Sequence, residues 1–160
     1  KVAALTEVDF GSSGMLASCF TALGDHEGAR RAARVTLERV EKIVAQDRIN
    51  GHAMAYGADA LAVLGEGERA TEWMNRAVLI DPDNWVMRYN FACAVSVHLH
   101  DTESALELLG PVLAAGRPRL VSGARTDPDL DSLRDDPRFQ AMLAAAEARL
   151  AEADAGEPVS

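Results

Sequence analysis

An all-α fold, made of antiparallel helix pairs stacked as a solenoid and closed by a last amphipathic helix, is what this sequence of 160 residues predicts. Three observations carry the prediction. A unit of 34 residues, Gly51 to Asn84, consists of two halves with apolar residues at helical spacing, and weaker copies flank it on both sides. Glycine or a polar turn divides the halves, as between antiparallel helices. Beyond Gly116 the repeat stops and one strong helical stripe follows, which a stacked solenoid needs to cover its last apolar side. With 48% hydrophobic residues the chain has enough apolar material for a core.

The opening "KVAALTEVDF" runs apolar residues into a turn and, lacking an initial methionine, suggests a segment cut from a longer protein. "GSSG" at 11–14 is expected as a flexible, serine-capped turn ahead of the first helix, with an anion site as the lesser alternative. In the first repeat, about 12–50, Leu16, Ala17, Phe20, Gly24 and Ala29 align with the central unit. Its second helix is longer than usual, with Ala29, Ala33, Leu37, Val40 and Val44 as the apolar stripe and Arg34, Glu38 and Lys42 on the wet side. In the central repeat, 51–84, Met54, Gly57, Ala58 and Leu61 precede a helix-breaking Gly65. Ala70, Met74 and Ala77 follow, and Asp81 and Pro82 end the unit. Small residues at Ala58 and Ala70 let two helices approach while Leu61 and Met74 fill the space beside them. The third repeat, 85–116, carries Phe91, Ala92 and Val95, then Leu106, Leu109 and Leu113. Its turn, "HLHD", is one residue longer than the pattern and has no glycine.

The segment 117–153 is expected to cap the stack. Within it "TDPDLDSLRDDPRFQAML" resembles a calcium loop at Asp127, Asp129 and Asp131, but Ser132 stands where that loop needs glycine and Arg138 where it needs glutamate. Helix starting explains more residues: Asp127 before Pro128 and Asp136 before Pro137 each place a capping carboxylate ahead of a proline at the first helical position. Phe139, Met142, Leu143, Ala146 and Leu150 then share one face of the last helix. The tail 154–160, "DAGEPVS", is expected to be disordered.

The order of residues in the central unit, bulky, small and leucine, then alanine, bulky, alanine and proline, resembles a tetratricopeptide repeat. "RYNFACA", "ALELLGPVLA" and "DPDLDSLRDDPRFQAMLAAAEARL" resemble more narrowly the C-terminal repeat segments of bacterial adenylate/guanylate cyclase-like multidomain proteins with a TolB-like middle region. The resemblance implies a right-handed superhelix and a regulatory or interaction role, with the catalytic domain upstream and outside this chain. Carried over position by position, the partner-binding concave surface would comprise Ser18, His52, Ala55, Asp59, Ala62, Tyr89, Asn90, Cys93 and Val97. Asn90 matches an asparagine of peptide-clamping members, but apart from Arg88 the clamp's basic residues are absent. A neutral or basic segment therefore suits this groove better than an acidic one.

Other chemistry has weaker signals. Net charge is −9 and no basic cluster interleaves with aromatics, so nucleic acid is not an expected partner. No apolar run approaches the roughly 20 residues that span a bilayer. Cys19 and Cys93 lack metal-ligand spacing and are expected as two buried thiols in a reducing cytoplasm. His98 and His100 in "HLHD" are two apart without a third ligand, and His52 and Asp59 are two helical turns apart, too far for a proton-transfer pair. No cofactor or metal is expected. The sequence predicts a non-catalytic scaffold for a protein or peptide segment, or for upstream domains of its own polypeptide. The alternative is a small helical ligand-binding or catalytic domain using the Asp-rich C-terminal region.

Overall fold

The computed structural model of the chain describes residues 9–156, and all regular structure among them is helical, as expected. The helices are α1 Phe10–Ala22, α2 His26–Gln46, α3 Gly51–Leu64, α4 Gly67–Ile80, α5 Trp85–Ala94, α6 Thr102–Ala114, α7 Pro118–Thr126 and α8 Pro137–Gly156. A π-helical turn, Val95–Leu99, extends α5, and a 3-10 segment, Pro128–Leu133, follows α7. They divide into two compact units, Lys1–Asn84 and Trp85–Ser160. Among the described residues no helix is long and apolar enough to cross a membrane.

In the first unit, α1 to α3 each start at a side-chain cap: Asp9, Asp25 and Asn50 accept from the N–H of Ser12, Gly28 and Ala53 at 2.8–3.0 Å. Gly24 and Gly65 end α1 and α3 at φ +72° and +80°, the left-handed conformation glycine adopts most cheaply. The helices close on small residues. Ala17, Ala29, Ala33, Ala58, Ala70 and Ala77 are buried, with Val40, Leu61 and Met74 filling the space around them. Gly57 has a separate purpose. A Cβ there would lie 2.4 Å from the Trp73 ring and 2.9 Å from Val40, so the missing side chain admits the indole.

Three expectations for α1 are corrected. "GSSG" is inside the helix, because Asp9 caps it further upstream than the sequence suggested, and that capping carboxylate occupies the end where an anion would bind. Ser13 is buried, bonds the Phe10 carbonyl and accepts from Thr36 of α2 at 2.9 Å, while Gly14 makes room for the Tyr56 ring. Leu16, aligned with apolar positions of the repeat, is 52% exposed, and Cys19 is exposed rather than buried. The reason is orientation: α1 buries Ser13 and Ala17, which leaves Met15, Leu16 and Cys19 exposed.

In the second unit Phe91, Ala92, Val95, Leu106, Leu109 and Leu113 are buried as their spacing predicts. The extra residue of the "HLHD" turn is absorbed by the π-helical turn. Ala17 and Ala29 are twelve residues apart, as are Ala58 and Ala70, whereas Ala92 and Ala105 are thirteen apart; all six are buried. His100, at φ +53°, then stands where Gly24 and Gly65 stand in the first unit, and Asp101 caps α6 through the Ser104 N–H at 3.1 Å. Helix α7, begun by Pro118, was not foreseen, since it buries only Val121 and Ala124 and gives too short a stripe to read. Asp127 and Asp136 do cap the segments beginning at Pro128 and Pro137, through the N–H groups of Asp129 (3.1 Å) and Arg138 (2.8 Å). Phe139 and Ala146 are buried, with Met142, Leu143 and Leu150 half-buried, so α8 lays the expected face on α6 and α7. Residues 154–156 of the expected disordered tail belong to α8. The rest of that tail and positions 1–8 of the opening stretch lie outside the described residues.

Candidate functional site

The nine residues assigned to a partner surface fall five in the first unit and four in the second. In the first unit His52, Ala55 and Asp59 recur at three- and four-residue steps, which places them along one face of α3. Tyr56 belongs to the same face. Its ring makes edge contacts with Phe10 of α1 (centroids 5.3 Å) and His52 (5.1 Å), and Phe10 lies 5.5 Å from His52. Ser18 and His52 are exposed and Ala55 is half-buried, while Ala62 is fully buried and offers no surface. Neither Phe10 nor Tyr56 was singled out from the sequence, because their meeting depends on how α1 crosses α3.

Asp59 differs from its neighbours. The residue is half-buried, its Oδ1 is fully enclosed, and that oxygen has no hydrogen-bond partner. Burial alone pushes its carboxyl from the ordinary 3.8 up to about 7, with no nearby positive charge to oppose the shift.

In the second unit Asn90 is exposed and Val97 half-buried, but Tyr89 and Cys93 are buried. Their polar atoms turn toward the Asp-rich stretch. Tyr89 donates its hydroxyl to Asp127 Oδ2 at 2.8 Å, and Cys93 Sγ lies 3.9 Å from the same oxygen. Burial and the Asp127 carboxylate hold the phenol protonated well above its usual range. Asp127 Oδ1 meanwhile accepts from the Asp129 N–H. Arg134 binds the carbonyls of Arg125 and Asp127 and pairs with Asp131 at 2.6 Å, which fastens the turn from both ends.

Among the described residues, one group of side chains could hold a metal ion. Ligand atoms of Cys93, Asp127 and Asp129 lie within 4.8 Å of one another. The Asp129 carboxyl is raised by its partial burial and by the charges of Asp127 and Asp131. Asp127, the central member, already accepts from Tyr89, Cys93 and the Asp129 backbone, so the protein's own donors account for its orientation. The pairing of Tyr89 with Asp127, 38 positions apart, has no signature in the sequence. In the histidine turn His100 is exposed. The Asp101 carboxylate is committed to Ser104, whose hydroxyl and N–H hold its pKa below the usual value.

No protein-family model and no curated protein matches this chain.

Proposed function

We propose that the chain is a tetratricopeptide-like segment whose helix pairs stack as a right-handed superhelix. It acts as a non-catalytic scaffold, gripping a protein segment or an upstream domain of its own cytoplasmic signalling polypeptide. The observation that carries this reading is the recurrence of a buried alanine on both helices of three successive pairs, Ala17 and Ala29, Ala58 and Ala70, Ala92 and Ala105. A small residue repeated at nearly constant spacing gives each pair the same room for close approach, which is the property that repeat pairs share. On the first helices of the pairs, Ser18, His52, Ala55 and Asp59 in the first unit and Asn90 and Val97 in the second retain exposure and are the proposed partner-contacting residues, while Ala62, Tyr89 and Cys93 are buried within their own units.

The test is competitive capture. The chain, immobilised, is used to retain partner segments from its source cell and from its own upstream polypeptide. Ala55→Arg with Asn90→Ala is expected to weaken retention more than tenfold, about 1.4 kcal/mol, while Arg34→Ala with Lys42→Ala, on the exposed face of α2, leaves it unchanged. The reverse pattern assigns binding to the outer face. Absence of any saturable partner from either source overturns the scaffold reading.

A further inference from the structure

Asp59 has no counterpart in the internal design of the first unit. Buried polar groups in folded proteins are almost always paired, because an unpaired carboxylate loses its hydration and gains nothing in return. The other buried polar side chains of this unit obey the rule: Ser13 bonds the Phe10 carbonyl and Thr36 bonds the Ala32 carbonyl and Ser13. Asp59 makes no such bond with Oδ1, yet the residue remains partly open to the outside. Its helical neighbour one turn back is Ala55, half-buried and with a short side chain, and Tyr56 belongs to the same face.

We infer that Asp59 is the anchor point for a lysine or arginine side chain of the bound segment. The inference rests on the scaffold reading and specifies the chemistry of its partner. The aliphatic stem of a basic residue lies over Ala55 and Tyr56, and its charged head meets the carboxylate where the residue stays open to the outside, which offsets the charge that burial of Oδ1 leaves uncompensated. Charge favours this occupant: the chain carries −9 overall, and no cation of the chain lowers the Asp59 pKa. An acidic or purely apolar segment would leave the carboxylate unpaired on closing over it, at greater cost than in the free chain.

The experiment uses the full chain and a positional-scanning library of capped nine-residue peptides, in which each position is fixed in turn. One position is expected to select lysine and arginine at least tenfold over norleucine and glutamate. Asp59→Asn is expected to abolish that selection while keeping the helical content of the parent. With the carboxyl carbon labelled, saturation by a selected peptide at pH 7 moves the Asp59 resonance to its ionised position, a change that indirect stabilisation of the fold would not produce. If peptides bind along α3 without basic preference, or if the preference survives Asp59→Asn, the anchor is overturned and the scaffold reading stands. If no peptide in the library binds, the anchor is overturned, and the scaffold reading is decided by the capture of the upstream polypeptide.

Discussion

Asp59 ties stability to pH in a direction opposite to that of most carboxylates. Its folded pKa, about 7, lies above the unfolded value of 3.8, so the native state binds more protons between those limits and loses stability as pH rises through them. Above about 7 the loss is complete. Asp59→Asn removes the penalty, and urea denaturation at pH 8 is expected to show the variant more stable by up to about 4 kcal/mol, with little difference near pH 4. A variant less stable at pH 8 would mean that the carboxylate is paired. Asp136 follows the usual rule. Hydrogen bonds from Arg138 lower its pKa to about 2, so its contribution is present above 3.8 and disappears as pH falls through about 2. The capping role of Asp136 was readable because it is local. The isolation of Asp59 was not, since sequence spacing shows which face a residue occupies and not what stands opposite.

At the scale of the element, α5 shows how one inserted residue is accommodated. Continuing a regular helix would have rotated everything beyond the insertion by about 100° and turned the α6 stripe off the core. Instead the π-helical turn Val95–Leu99 takes up the extra residue, and Val95 and Ser96 remain buried, the latter 2.8 Å from Ser132. The cost passes to His100, a residue with a Cβ held at φ +53° where the other pairs use glycine. His100→Gly is therefore expected to stabilise the chain by roughly 0.5–1 kcal/mol in chemical denaturation. A neutral or destabilising result would show that the imidazole makes contacts outweighing the backbone strain. The sequence signalled the irregularity through the missing glycine and the extra residue. It did not signal that the helix, rather than the turn, would absorb it.

For the molecule as a whole, the division into two units falls between Asn84 and Trp85, where the central repeat ends. Within the second unit the segment after Gly116 completes a core. Leu130, Leu133, Phe139 and Ala146 are buried there together with Leu109, Val112 and Leu113. Each large apolar side chain so buried is worth roughly 1.5–3 kcal/mol. A chain ending at Gly123 loses these contacts and also Asp127, the acceptor of the Tyr89 hydroxyl. It is expected to aggregate or dimerise, as sedimentation would show. A soluble monomer with an unchanged melting temperature would mean that the terminal helix is dispensable.

The all-helical class, the buried alanines of the first two pairs and both aspartate–proline caps follow from the sequence by itself, because each depends on residues within a few turns of one another. Periodicity and capping are local physics, and they placed the α2, α3, α4 and α8 stripes correctly. Tertiary structure alone decided the rest. It exposed Leu16 and Cys19, turned Tyr89 and Cys93 inward onto Asp127, brought Phe10 to Tyr56 and His52, and left Asp59 without a partner. Those outcomes depend on which faces of distant helices meet. That choice is made by total burial across the unit, and no short stretch of residues contains it.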